Sequence, residues 1–251
     1  MQELLCIPQD SLVSLCLKLL SLSGGRRVRG RGYEAIAPDA SFFYARYILN
    51  SRCDEAVIDA ILADAEENEL PGLVSFCDAL VGANWGEALV AKGFTLLAEQ
   101  AGMLMDLADY EERPSPENIV RIGADRLKEW SRVCETAFPK PTEMPALRHW
   151  IQAEDCEFYA YLVDDVIVGT LLGYAEGGNY GLHEVATLPD YRRRGICEAL
   201  VHHAAAAAKR AGNRYVSLQG SASGEGVYAR CGLSTVCRIS TYFLPKPQPG
   251  M

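Results

Sequence analysis

The segment that most constrains the fold of this chain covers residues 183–200. It starts with a strand-like run over 183–188, passes through Pro189-Asp190-Tyr191 and the basic turn Arg192-Arg193-Arg194-Gly195-Ile196-Cys197, and then enters a helical pattern. A strand that ends in such a turn leaves unpaired backbone N–H groups at the positive end of a helix dipole. We therefore expect this turn to bind a phosphate or another anion.

Helices and strands alternate on both sides of this turn. A helix is predicted over 198–210, since the segment contains five consecutive alanines and ends before Gly212-Asn213, a common helix stop. A strand, a short helical segment that carries Tyr228, and a last strand are predicted after it, over 215–218, around 228 and over 239–244. The predicted elements before the turn are a strand (119–122), two helices (126–137 and 144–153) and two hairpin strands (157–163 and 166–174).

This order resembles that of the GNAT superfamily of N-acetyltransferases, whose acetyl-CoA turn has the pattern Arg/Gln-x-x-Gly-x-Gly/Ala. The turn in this chain matches at Arg192 and Gly195 and departs at Cys197, where Gly or Ala is usual. For residues 117–245 the resemblance implies an α/β (α+β) fold, in which helices flank a mixed, mostly antiparallel central sheet.

The resemblance also implies how acetyl-CoA is bound. Family members separate the two strands on either side of the turn helix, so backbone groups of one strand can pair with the pantetheine arm. The N–H groups of 193–197 would take the pyrophosphate, helped by Arg192 or Arg193, while Arg194 points either to this site or to solvent. The implied cofactor-binding residues are Val185, Ala186, Thr187, Arg192, Arg193, Arg194, Gly195, Ile196, Cys197, Ser221 and Gly224.

Acetyl transfer to an amine needs a general base, because an alkyl ammonium has a pKa near ~10.4 and is protonated at neutral pH. His183 is the first candidate, since similar enzymes place a base on this strand. Glu184 is the alternative, because neighbouring strand residues face opposite sides and only one is expected to point into the cleft.

Tyr228 is the candidate for stabilising the departing CoA thiolate, by a hydrogen bond or a proton. The family pattern Asn-x-x-Ala-x-x-x-Tyr is kept in its spacing, with Ser221 and Gly224 in place of Asn and Ala. The alternative role for Tyr228 is packing of a buried ring. Cys197 lies near a helix N-terminus, which favours a reactive thiol. Direct transfer in a ternary complex needs no acyl-enzyme, so we expect no covalent role for it.

A second copy of the six-residue pattern occurs at Arg27-Val28-Arg29-Gly30-Arg31-Gly32 and matches at every position. No strand is predicted before it and no helix after it, so it lacks the context of a phosphate turn. We predict a basic surface loop at these residues.

The proline-rich, charged segment 111–116 has the composition of a linker and divides the chain into residues 1–112 and 113–251. The first part has a similar predicted order of strand, helix, strand, short helix and strand, over 42–49, 54–68, 73–76, 86–92 and 103–107. Leu89 stands where Tyr228 is expected, and the turn over 50–53 has no glycine. We predict either a degenerate GNAT-like repeat without a cofactor site or an unrelated, smaller α/β domain.

Composition narrows the class of protein. A formal charge of −9 argues against nucleic acid and membrane partners, whose binding depends on clustered positive charge. The nine cysteines form no Cys-x-x-Cys pair, which indicates reduced thiols in a cytoplasmic protein and no metal site. The apolar run over 12–22 is predicted to be an amphipathic helix too short to span a bilayer.

Two functions are consistent with these residues. One is an N-acetyltransferase that uses acetyl-CoA and acts on an amine of a small molecule or an amino terminus, as a monomer or a homodimer. The other is a non-catalytic acyl-CoA-binding or regulatory module on the same fold. The presence of both His183 and Tyr228 favours the enzyme.

Overall fold

The computed structural model describes residues 2–41, 44–49, 54–67, 73–138 and 143–244. The helices are α1 (Gln2–Ser23), α2 (Ala56–Glu67), α3 (Trp85–Ala91), α4 (Leu127–Ala137), α5 (Met144–Trp150), α6 (Ile196–Arg210) and α7 (Glu225–Arg230). The strands are β1 (Gly25–Arg29), β2 (Tyr33–Pro38), β3 (Arg46–Leu49), β4 (Leu73–Cys77), β5 (Thr95–Asp106), β6 (Ile119–Arg121), β7 (Cys156–Val163), β8 (Val166–Glu176), β9 (Asn179–Thr187), β10 (Tyr215–Gly220) and β11 (Ser234–Phe243).

In the described residues these strands form one eleven-stranded sheet, in the order β1-β2-β3-β4-β11-β5-β10-β9-β8-β7-β6. Two neighbouring pairs are parallel, β3 with β4 and β9 with β10, and the other pairs are antiparallel. The predicted α/β class with a mixed, mostly antiparallel sheet is therefore confirmed.

The centre of the sheet is built from strands of both halves of the chain, residues 1–112 and 113–251. β5, from the first half, lies between β10 and β11, and β11, from the second half, lies between β4 and β5. Their antiparallel register runs from Ser234 opposite Leu104 to Phe243 opposite Thr95. β5 of the first half thus pairs with β10 and β11 of the second half, and β11 also pairs with β4 of the first half. Residues 111–116, predicted as a linker, are irregular and exposed.

Helices cover both faces of the sheet. On one face, the fully buried Leu15 and Leu19 of α1 pack with Trp130 of α4 and Trp150 of α5. On the opposite face, α6 packs on the second half of the sheet, and α2 and α3 pack on the first half. The site described below lies where α1 approaches β9.

Helix α1 is longer than the sequence predicted. It begins at Gln2 rather than at residue 12, so the predicted length, too short for a bilayer, is wrong. The segment Leu4–Ser23 is long and apolar enough to cross a membrane by length and composition alone. In this fold Leu15, Cys16 and Leu19 on the same helix are 0% exposed and pack in the core beneath it.

The predicted basic loop at 27–32 is correct only for residues 30–32, which connect β1 to β2. Residues 25–29 form the edge strand β1, which pairs with β2 so that Arg29 lies opposite Glu34. Glu34 forms ion pairs with both Arg27 and Arg29, and these cross-strand pairs hold the arginines on the sheet. Alternating arginines that share one acidic partner on the next strand are typical of a β-strand. The six-residue pattern does not include that partner.

Other element boundaries differ by a few residues. β5 begins at Thr95 rather than at 103, β11 begins at Ser234 rather than at 239, and α5 ends at Trp150 rather than at 153. β5 and β11 are longer than predicted because each pairs with a strand from the other half of the chain. A local sequence pattern does not encode such distant pairing. Residues 42–43 of the first predicted strand and the turn over 50–53 lie outside the described residues.

Candidate active site

The parallel strands β9 and β10 separate near the middle of the sheet. Their register starts at Tyr215 opposite Asn179 and has Leu218 opposite Leu182 as its last described pair. β9 continues to Thr187 and β10 to Gly220, and a cavity of about 900 Å³ lies beside these ends. Residues from β9, the Arg192–Cys197 turn, α7 and the first half of the chain line it.

A β-bulge in β9 sets the direction of the two candidate bases. Glu184 has a positive φ of 49°, and the register shifts so that Glu184 and Val185 both fall opposite Leu171. His183 Nε2 lies 3.2 Å from Ser11 Oγ on α1, and Glu184 Oε1 accepts a 2.7 Å hydrogen bond from the Tyr44 hydroxyl. Both side chains therefore contact residues on the face that α1 covers.

The expectation that only one of His183 and Glu184 can face the cleft is wrong, because the inserted residue breaks strand alternation. Both line the cavity and both are half-buried. Their partner Tyr44 is 6% exposed, and burial, followed by the Glu184 charge, raises the pKa of its phenol well above the ordinary value. Tyr44 thus remains protonated and donates its hydrogen to Glu184.

The predicted anion turn leads directly into α6. Gly195 precedes the helix with a φ of 76°, and a Cβ there would meet no atom within 4 Å. The glycine is therefore required by backbone conformation and not by packing. Residue 193 also has a positive φ, of 61°. The first N–H groups of α6 have no partner within the helix and are available at the cavity wall.

The three arginines of the turn have different surroundings. Arg192 and Arg193 line the cavity, and Arg192 Nε donates a 3.2 Å hydrogen bond to the Thr187 carbonyl. Arg194 is not among the cavity-lining residues. Its guanidinium donates to the Asp190 carbonyl at 2.9 Å and lies 5.0 Å from the centre of the Tyr191 ring. Of the two orientations predicted for Arg194, the structure has the one away from the cavity.

Tyr228 closes the cavity on the α7 side and is 8% exposed. Its ring occupies space that Gly224 leaves open, since a Cβ at residue 224 would lie 2.9 Å from Cε2 of the tyrosine. Burial raises the pKa of the Tyr228 phenol well above 10, with a smaller contribution from Cys197. The phenol therefore keeps its proton over the whole physiological range.

Cys197 lies beside Tyr228. Burial, followed by the Glu198 charge, raises the pKa of its thiol to about 11, against smaller lowering effects of Tyr228 and Arg230. The sulfur is consequently a neutral thiol at pH 7, which differs from the low-pKa thiolate of enzymes that act through a covalent intermediate. Ser221 also lines the cavity, and its hydroxyl lies 3.1 Å from that of Ser223.

Sequence reasoning did not identify the individual residues of the first half that line the cavity. Tyr44 and Arg46 belong to no recognisable motif, and only the fold brings them to β9. Arg46 is 5% exposed, and its Nη1 lies 3.4 Å from Ser75 Oγ. The cavity-lining residues from the first half are Leu12, Tyr44, Arg46, Leu73, Leu97, Ala98, Glu99 and Gln100. Among them, Tyr44 contacts Glu184 directly.

Comparison with known proteins finds a family model and solved structures that are similar to this chain. Residues 124–233 match the model of the Acetyltransferase (GNAT) family, while no curated protein matches the sequence significantly. Among solved structures, a GCN5-related N-acetyltransferase from Kribbella flavida aligns over 96% of both chains at 16% identity, with a TM-score of 0.74. A GCN5-related N-acetyltransferase from Sphaerobacter thermophilus aligns over 84% of this chain and 76% of its own at 18% identity, with a TM-score of 0.61.

A GNAT-family acetyltransferase from Colwellia psychrerythraea aligns over 94% of this chain and 97% of its own at 10% identity, with a TM-score of 0.55. These likenesses establish the fold over both halves of the chain. The family match covers the elements from α4 to the end of α7, which include the anion turn, Tyr228 and the bulged strand. Residues 124–233 therefore form a segment that matches the acetyltransferase (GNAT) family model.

Proposed function

We propose that this protein is an N-acetyltransferase that moves an acetyl group from acetyl-CoA to a primary amine of a small molecule or an amino terminus. The observation that carries the proposal is one shared cavity beside the ends of β9 and β10. It is lined by the Gly195 turn and Tyr228, and also by His183 and Glu184. An acyl donor and an amine can therefore meet in it without a covalent enzyme intermediate.

The donor fits the groups at the turn. The N–H groups at the start of α6 and the guanidinium groups of Arg192 and Arg193 would hold the pyrophosphate. The positive φ of Gly195 and the open space around its Cα let a phosphate approach the backbone closely. Backbone groups of Val185, Ala186 and Thr187 lie past the last pair of the β9–β10 register, where the pantetheine amides would pair as an added strand.

The amine would be activated on the face covered by α1. We assign the proton transfer to His183, because a histidine titrates near neutral pH, and keep Glu184 as the alternative base. Since both side chains lie on this face, the Glu184 carboxylate would attract the ammonium form of the acceptor while His183 removes its proton. The neutral nitrogen then attacks the thioester carbonyl carbon, the C–N bond forms and the C–S bond breaks. The second proton that the nitrogen loses passes to the departing thiolate, directly or through solvent, so that CoA leaves as the thiol.

Tyr228 would stabilise the sulfur that leaves. The raised pKa of its phenol lies above that of an ordinary thiol, near ~8.5, so the proton stays on oxygen and the contribution is a hydrogen bond to the thiolate. A hydrogen bond of this kind accelerates the reaction because it becomes stronger as negative charge develops on the sulfur.

The test combines acetyl-CoA binding by calorimetry with thiol release across a panel of amines, for the wild type and Tyr228→Phe. We expect the wild type to bind acetyl-CoA and release thiol with at least one amine. The variant should bind with similar affinity and turn over about a hundredfold more slowly. Binding without thiol release from any amine would instead indicate a non-catalytic acyl-CoA-binding module. Absence of binding would overturn the proposal.

We further propose that residues 1–112 are a degenerate GNAT-like unit without a cofactor site. The succession β3-α2-β4-α3-β5 has the same order as β9-α6-β10-α7-β11, and each begins with a strand that is parallel to the second. Leu89 on α3 is fully buried at the position that corresponds to Tyr228 on α7. Calorimetry should therefore give one acetyl-CoA per chain, and two equivalents would contradict this assignment.

A further inference from the structure

A cluster of metal-ligating side chains lies outside the cavity, where α1 passes over the end of β4 and the middle of β11. The Cys77 and Cys237 thiols and the Asp78 carboxylate lie within 4.8 Å of one another, with Cys77 Sγ 3.7 Å from Asp78 Oδ1. Cys6 of α1 packs in the same buried cluster as Cys77 and Cys237. Three potential ligands thus lie together, and a fourth thiol packs beside them.

The spacing of these atoms suits a tetrahedral ion. Zinc–sulfur bonds of about 2.3 Å place two sulfur ligands about 3.8 Å apart in a tetrahedral site. The present separations of up to 4.8 Å need to close by about 1 Å, which small side-chain rotations provide. Gly102 on β5 leaves room for the Cys237 sulfur, because a Cβ there would lie 2.3 Å from it.

Burial and charge at the cluster also favour a cation. Cys77 is 0% exposed, Cys237 5% and Cys6 9%, while Asp78 is exposed and leaves a route from solvent. The Asp78 carboxylate lies beside the Cys77 and Cys237 thiols. A bound cation would displace the thiol protons and be stabilised by this carboxylate.

We propose that Cys6, Cys77, Asp78 and Cys237 form a structural site for a zinc-class divalent cation. Thiolate ligands select such ions over magnesium and calcium, and four protein ligands close the site to substrate. The ion would tie α1 to one strand from each half of the chain. Sequence analysis predicted no metal site because Cys6, Cys77 and Cys237 are far apart in the sequence, where no Cys-x-x-Cys pair signals them.

Metal binding is tested on the full-length, metal-free protein. Cobalt(II) titration should give one equivalent and the visible absorption of a tetrahedral thiolate site, which zinc then displaces. Cys77→Ser should abolish the signal. Asp78→Asn should weaken cobalt affinity by more than about tenfold, and because Asp78 is exposed this variant is expected to fold. The matched control is Cys156→Ser, which removes a buried thiol of β7 outside the cluster and should leave affinity unchanged.

A second measurement separates metal binding from general stability. Zinc should raise the Tm of the wild type and of Cys156→Ser, and should raise that of Asp78→Asn less at the same zinc concentration. The proposal is overturned if cobalt produces no tetrahedral thiolate absorption. It is equally overturned if Asp78→Asn binds as tightly as the wild type, or if Cys156→Ser loses as much affinity as Asp78→Asn.

Discussion

The Tyr44 hydroxyl donates a 2.7 Å hydrogen bond to Oε1 of Glu184, across 140 positions of sequence. This contact joins the first half of the chain to the bulged strand of the segment that matches the family model. Tyr44 is also fixed by an edge-to-face contact with Trp150, with ring centroids 4.8 Å apart. The orientation of a candidate catalytic carboxylate therefore depends on Tyr44, which lies outside the segment 124–233.

Tyr44→Phe should reduce amine acetylation while leaving donor binding intact. The ring contact with Trp150 is kept, and the hydrogen bond to Glu184 is lost. Hydrogen bonds to charged groups contribute about 1.5–3 kcal/mol, so we expect kcat/KM for the amine to fall by about tenfold or more. Steady-state kinetics and acetyl-CoA calorimetry measure the two effects.

The matched control is Tyr174→Phe, which removes the hydroxyl of another buried tyrosine that does not line the cavity. It should retain kcat/KM. An equal loss of activity in both variants would assign the effect to core packing and not to Glu184.

Gly224→Ala should displace the Tyr228 ring. The added methyl would lie 2.9 Å from Cε2 of the tyrosine, so either the ring moves or the protein is strained by about 1–3 kcal/mol. We expect a lower kcat and a lower Tm, measured by thiol release and by thermal unfolding.

Gly226→Ala on the same short helix is the matched substitution, because its methyl would meet no atom within 4 Å. Alanine is preferred to glycine in helices by up to ~1 kcal/mol, so this variant should keep kcat and have an equal or higher Tm. Similar losses in both variants would show that the helix backbone, and not the Tyr228 ring, is disturbed.

The local parts of the site could be predicted from sequence, and the parts made by distant pairing could not. The Arg192–Cys197 turn, α6 and the spacing of Tyr228 are all encoded within about one helix and its flanking residues, where periodicity and capping signals are reliable. Other features depend on pairing between residues far apart in sequence. They are the bulge at Glu184, the pairing of β5 with β11, and the contact between Tyr44 and Glu184. Strand pairing of this kind is set by tertiary context and leaves little trace in a local pattern.

The turn arginines should differ in their effect on acetyl-CoA affinity. Arg192 and Arg193 line the cavity, whereas Arg194 is held against Asp190 and Tyr191. Replacing both Arg192 and Arg193 by Ala should weaken binding by about tenfold or more and reduce its salt dependence, since charge-assisted contacts to phosphate are lost. Arg194→Ala should bind nearly as the wild type does. Calorimetry at two salt concentrations tests this, and an Arg194→Ala variant as weak as the double variant would contradict it.

The Cys197 thiol should contribute a pH-dependent part of the stability. Burial, followed by the Glu198 charge, raises its pKa from the ordinary 9.0 to about 11. The folded protein thus holds this proton more tightly than the unfolded chain does. Its contribution is complete below about pH 9 and is lost as the pH rises through about 11.

Cys197→Ala has no titrating group at this position, so its free energy of unfolding should fall less steeply than that of the wild type between pH 9 and 11. Urea unfolding at a series of pH values measures the two curves. The other buried thiols and phenols are present in both proteins, so the difference between the curves reports Cys197 together with its smaller effects on Tyr228 and Cys231. Parallel curves would mean that the thiol titrates alike in the folded and unfolded protein, and that burial does not raise its pKa.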